Sequence, residues 1–335
     1  MQNQIDKSNL RQVILDFPKQ FLKALEIARD KKLEGSFDKL VVCGMGGSAL
    51  PGNLVEAYLN YKNINFPVIV NRDYTLPTFV NEKTLIFTSS YSGNTEEPLS
   101  CFKELKSKNL ETIGFARGGS KLDQACQEYN VPFVEYPNDG PSFQPRCALG
   151  YSFTSMIKVL SNCGVIDSVD NGIKRLAESL KPEELEERGK EIARDLEGFT
   201  PIIYSSEKYK KSIAQICKIK INENSKTEAF YNAFPGMNHN EMVGYTRLNG
   251  KYHVIIFRDF EDHERILKRF DITAKILEEK GVEVTIIDMN KENDLEKIFN
   301  ALILFDWVSY YLALEAGQDP TPVEMVENFK GQMAK

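Results

Sequence analysis

Thr84-Leu85-Ile86-Phe87-Thr88-Ser89-Ser90-Tyr91-Ser92-Gly93-Asn94-Thr95-Glu96-Glu97 is the stretch on which the fold turns. Its opening residues form the short apolar run of a strand buried on both faces, as parallel sheets require. The run breaks into hydroxyl side chains and one glycine, then into an amphipathic segment from Glu96 to Lys108. Hydroxyls and backbone N–H groups gathered at a strand-to-helix junction can ring a phosphate dianion, and the helix N-terminus adds a favourable field. Gly93 allows a positive φ and a close approach to a ligand. A Ser/Thr-rich turn with an ordinary helix cap is the plain alternative. The clustering of Ser89, Ser90, Ser92 and Thr95 around one glycine, at a strand's carboxyl end, favours the ligand.

The same alternation extends both ways. Leu40-Val41-Val42-Cys43, Val68-Ile69-Val70, Thr112-Ile113-Gly114-Phe115 and Val131-Pro132-Phe133-Val134 read as further strands, with helices between them. Five strands alternating with helices predict an α/β parallel sheet. Pro137–Pro145 reads as a loop, and 146–196 as helices ending in the charged Lys181–Arg194 segment, a solvated helical face. Alternation then restarts with strands at 202–204, 227–230, 254–257 and 282–287. The apolar helix predicted over 294–316 reads as a core element, because Asp306 and Glu315 interrupt it, and a terminal helix is expected over 322–330. The fold class is therefore α/β: two αβα sandwiches, each a mostly parallel sheet flanked by helices, expected over residues 1–150 and 151–335. The two halves repeat in pattern only.

With 335 residues, 42% apolar and 27% charged, the chain is long enough for two globular domains. It lacks a run of about 18 apolar residues, so no membrane association is expected, and Met1–Leu10 lacks a signal peptide's apolar core. A net charge of −6 argues against a nucleic-acid surface. The six cysteines form no C-x-x-C pair and read as reduced residues of a cytoplasmic protein. The three histidines, His239, His253 and His263, form no metal-ligand spacing, so no metal is expected.

After the first strand, Gly44-Met45-Gly46-Gly47-Ser48-Ala49 matches the dinucleotide fingerprint G-x-G-x-x-[GA]. An NADP-binding dehydrogenase is the rival reading. Against it, the second strand ends Val70-Asn71-Arg72, without the acidic ribose ligand, and a pyrophosphate leaves Ser90, Ser92 and Thr95 unexplained. One phosphate held by Gly46, Gly47 and Ser48 on one loop and Ser90, Ser92 and Thr95 on the next accounts for both.

In the second half, Asn222-Glu223-Asn224-Ser225-Lys226 and Asn238-His239-Asn240-Glu241 gather polar residues beside core strands. Isomerising a sugar phosphate needs a base to move a proton between adjacent carbons, an acid/base to open the ring, and a cation to steady an enediolate. Glu223 closes a helix, a poor place for a carboxylate, which favours a role beyond solubility. A lone loop histidine is most often structural, and His253 and His263 are read so.

These motifs, with Pro145-Arg146-Cys147-Ala148-Leu149-Gly150 and Asp319-Pro320-Thr321-Pro322-Val323 … Phe329-Lys330, resemble the bifunctional phosphoglucose/phosphomannose isomerases, which carry two sugar-isomerase (SIS) domains. The resemblance spans nearly the whole chain. It implies a cofactor-free aldose–ketose isomerase of glucose 6-phosphate and mannose 6-phosphate, giving fructose 6-phosphate through a cis-enediolate. It implies phosphate binding by Gly47, Ser48, Ser90, Ser92 and Thr95, Glu223 as base, and His239 as ring-opening residue. Arg146 would stabilise the enediolate, and Lys330 would lie near the ring oxygen. It also implies a homodimer with a shared active site, the histidine reaching into the partner's site. A sugar-phosphate sensor without catalysis is the alternative; it predicts a DNA-binding module, and neither a spare helix-turn-helix segment nor a basic stripe is present.

Overall fold

The computed structural model describes residues 5–140 and 143–333. Pro141 and Ser142, within the expected 137–145 loop, lie outside the described residues. Two compact units emerge: Asp16–Leu180, and residues up to Leu15 with those from Lys181 onward. The division thus falls after 180 rather than after 150. Helices Leu149–Asn162 and Asp170–Ser179 pack on helix Lys19–Ile27 of the first unit. Helix Leu10–Leu15 packs instead on Pro182–Leu196 and Asp294–Glu315, and Arg11 pairs with Glu186 at 2.7 Å.

The first unit holds strands β1 (Lys39–Gly44), β2 (Val68–Asn71), β3 (Thr84–Ser89), β4 (Ile113–Arg117) and β5 (Phe133–Tyr136), all parallel in the order β2-β1-β3-β4-β5. Every residue of β3 is buried, which explains its continuous apolar run. Strand order reverses between β1 and β3, the switch point where ligands of open α/β sheets bind. Gly44 pairs with Ser89 there, so both following loops leave the sheet at one level.

The second unit holds β6 (Thr200–Ser206), β7 (Phe230–Phe234), β8 (Tyr252–Arg258) and β9 (Glu283–Asp288), parallel in the order β7-β6-β8-β9. The strand expected at 227–230 is Phe230–Phe234 instead. Lys226 is left-handed, with φ +58°, and the Asn222 side-chain amide donates to the Thr227 carbonyl at 2.9 Å, so the chain is still turning where a strand was expected. The helix Asp294–Glu315 is long and apolar enough to cross a membrane, yet most of it is buried in this unit's core. Its Trp307 fits against Gly189, where an added Cβ would come within 2.3 Å, and the indole N–H donates to the Pro182 carbonyl at 2.7 Å. The charged segment over 181–194 is accordingly amphipathic, burying Gly189, Ile192 and Ala193.

Candidate active site

The first unit brings together the two loops expected to hold a phosphate. Gly46–Ser48 makes one tight turn after β1, then Leu50–Tyr61 continues as a helix. Gly46 has φ +49° with open space where a side chain would stand. Gly47 is flush with the backbone of Pro145 and Arg146, 2.9 Å from an added Cβ, so no side chain fits and Arg146 is brought beside the glycine loop. The Arg146 side chain is itself buried. Ser48 ties the loops together: its Oγ accepts the Tyr91 N–H at 2.8 Å, leaving its own proton to donate.

On the second loop Ser90 Oγ donates to Thr95 Oγ1 at 2.9 Å and lies 3.5 Å from Ser92 Oγ. Gly93 has φ +66°, and an added Cβ would fall 2.0 Å from Ser120 Oγ. Helix Glu96–Ser107 starts immediately after, and the Thr95 side chain does not cap it. Hydroxyls and helix-terminal N–H groups therefore share one place, an arrangement chemically able to receive an anion without a charged side chain. The dinucleotide alternative finds no support at the tip of β2, where the Asn71 side chain donates to the Thr75 carbonyl at 2.9 Å and to Cys101 Sγ at 3.4 Å.

The second unit carries the remaining candidates. Glu223 is half-buried in a wide π-type turn, Ile221–Ser225, that ends helix Gln215–Lys220. Asn224 Nδ2 donates to Ser309 Oγ at 2.9 Å, and Lys226 Nζ donates to the carbonyls of Glu223 and Asn224 at 3.0 Å each. His239 is exposed at the end of the short turn Gly236–His239. The turn bearing Glu223 feeds the amino end of β7, whereas His239 follows its carboxyl end. A strand length of roughly 15 Å therefore separates their points of attachment. Lys330 is exposed on Glu324–Met333 and paired with Glu327 at 2.8 Å.

His253 and His263 are structural, as expected. His253 lies between the Asp195 carbonyl and Thr285 Oγ1, at 3.0 and 2.8 Å, and His263 Nδ1 accepts the Arg265 N–H at 3.0 Å to cap its helix. Among the described residues, Asp259, Glu261 and Asp294 come close enough to hold a cation. Lysines already bond them: Lys297 Nζ lies 2.9 Å from Asp259 and 2.5 Å from Glu261, and Lys208 Nζ 2.9 Å from Asp294. Sequence reasoning missed Tyr204 and the Asn224–Ser309 contact, whose partners are far apart in the chain, and gave Glu241 no role; its place two residues after His239 was the available signal.

Parallel sheets, one opening hydroxyl and glycine loops at its switch point, define a double SIS-fold protein. The solved glucosamine-6-phosphate deaminase of Thermotoga maritima shares the fold at TM-score 0.69 and 17% identity, over 93% of this chain and 96% of its own. Residues 185–333 match the bacterial phospho-glucose isomerase C-terminal SIS domain. The chain is 37% identical to the bifunctional phosphoglucose/phosphomannose isomerase of Caldicellulosiruptor bescii, over 96% of this chain and 98% of that one. It is also 37% identical to the Aquifex aeolicus protein of that name, over 88% of this chain and 90% of the other. The chain belongs to the bifunctional phosphoglucose/phosphomannose isomerase family.

Proposed function

We propose that the protein interconverts glucose 6-phosphate and mannose 6-phosphate with fructose 6-phosphate, using no metal or cofactor. The carrying observation is the neutral hydroxyl-and-amide cradle at the β1/β3 switch point of a chain that belongs to this family. The cradle holds the 6-phosphate and fixes the sugar at one end. His239 opens the ring by giving a proton to the ring oxygen as its bond to the anomeric carbon breaks and the anomeric hydroxyl loses its own proton to become the carbonyl, with Lys330 near the ring oxygen. Glu223 then takes the C2 proton, and the electron pair left behind forms the C1–C2 double bond of an enediolate. Arg146 opposes the charge that grows on its oxygens. Transfer of the O2 proton to O1, with return of the carbon proton to C1 as the electron pair re-forms the carbonyl at C2, completes the ketose. Epimers at C2 share the base if the enediolate rotates about C2–C3.

We further infer a homodimer with a shared site, His239 serving the partner's substrate. The attachment of Glu223 and His239 at opposite ends of β7 supports this. A cytoplasmic location is supported by six free cysteines.

A coupled assay with each sugar phosphate, with and without chelator, tests the reading. Turnover of both sugars, unchanged by chelation, is expected. Tight binding with no turnover would identify a sensor, and loss on chelation restored by zinc would refute the metal-free mechanism.

A further inference from the structure

The loop after β7 is mostly exposed, yet it is fastened on either side of His239. Before it, the Asn238 side-chain amide donates to Thr273 Oγ1 at 2.9 Å and its oxygen accepts from Arg269 Nη1 at 3.1 Å. After it, Glu241 reaches back to the sheet. Tyr204 of β6 and Asn232 of β7 are register partners, so their side chains leave one face of the sheet side by side. Tyr204 O–H donates to one oxygen of the Glu241 carboxylate at 2.5 Å, and the Asn232 amide donates to the other. Tyr245 completes the group, its hydroxyl 2.7 Å from that of Tyr204. Burial, with Tyr245 and Glu241 adding, pushes the Tyr204 phenol far above its ordinary pKa, and burial lifts Tyr245 to about 12, so neither gives up its proton under working conditions. The imidazole of His239 makes no hydrogen bond among the described residues. The fastened residues on either side of it carry the backbone that presents it.

We propose that Glu241 is a positioning residue for ring opening: gripped by Tyr204 and Asn232, it holds the loop so that the His239 imidazole meets the ring oxygen. The inference rests on the reading of His239 as the ring-opening residue. A misplacement of about 1 Å can cost on the order of 10²-fold in rate, so a loop anchor acts on that step without touching the sugar.

The test compares fructose 6-phosphate with 5-deoxyfructose 6-phosphate, which lacks the hydroxyl that closes the ring and so needs no opening. Glu241→Ala should lower kcat on fructose 6-phosphate by roughly 10- to 100-fold and on the acyclic analogue by about 3-fold or less. Tyr204→Phe, which removes only the donor hydroxyl, should show the same selectivity more weakly. Asn232→Asp combined with Glu241→Gln exchanges donor and acceptor across the contact and should restore part of the lost ratio. Equal losses on both substrates for Glu241→Ala and Tyr204→Phe, with His239→Ala selective, would overturn the proposal alone. Equal losses for His239→Ala would overturn the ring-opening reading and the proposal with it.

Discussion

The carboxylate of Glu223 lies in the last turn of a helix, at the negative end of the dipole, where the backbone widens from α to π spacing. Such widenings recur at functional sites, and here the cause is visible. Lys226 turns left-handed and folds its ammonium back onto the Glu223 and Asn224 carbonyls, Ser225 Oγ bonds the Ile221 carbonyl at 2.6 Å, and Asn224 is fixed to Ser309. Glu223→Gln preserves shape and removes the proposed base, so substrate binding should persist while turnover falls on the order of 10²-fold or more on both sugars. Retention of one activity with loss of the other, measured by steady-state kinetics, would contradict a single shared base.

At the scale of elements, β6, β8 and the helix Asp294–Glu315 are joined by a buried polar knot. Asp259 accepts from Lys297 at 2.9 Å and from the Tyr209 hydroxyl at 2.6 Å, and Tyr209 also donates to Asp294 at 2.9 Å. Burial alone would raise the Asp259 pKa, but these donors outweigh it and hold the carboxyl below its ordinary value. A depressed carboxyl contributes stability that is fully present above its unfolded pKa of about 3.9 and is lost as pH falls through the folded value. Lys297→Met strands Asp259 without its main partner, so destabilisation of about 3–5 kcal/mol at pH 7 is expected. The gap should narrow below about pH 4, where the unpaired carboxyl takes up a proton more readily. Chemical denaturation at pH 7 and pH 3.5 measures both, and an equal gap at the two values would refute this account. None of the knot was legible in the sequence, because its members come from residues 208, 209, 259, 294 and 297, brought together only by the fold. The strands of the first sheet were legible, because burial on both faces writes them as unbroken apolar runs. The two loops of the proposed cradle were legible for a related reason: Gly46, Gly47, Ser90, Ser92 and Gly93 sit on two short local stretches. By contrast, β7 was misplaced by a few residues, since Thr227, Glu228 and Ala229 carry no sign that Lys226 has not yet released the turn, and the anchoring of Glu241 depends on Tyr204, remote in sequence.

Across the whole molecule the two sheets share one strand order apart from the extra β5, and the hydroxyl and glycine loops proposed to hold the phosphate stand at the switch point of the first. In the second, the loops after β6 and β8 bring Lys208, Tyr209, Asp259 and Glu261, and with Lys297 these groups satisfy one another. The second unit also carries Glu223 and His239, before and after β7. Their attachment at opposite ends of β7 makes the dimer a chemical question. If His239 completes the partner's site, a mixture of Glu223→Gln and His239→Ala subunits forms heterodimers with one site holding both residues intact and one holding neither. Random exchange under two-fold symmetry gives about half heterodimers with one good site of two, so activity should recover to roughly one quarter of wild type. Exchange is verified independently by differently tagged subunits co-purifying. Confirmed exchange with no recovery would put Glu223 and His239 of one chain at the same sugar, and the strand between them would then have to be bridged by the substrate and the two side chains within a single subunit.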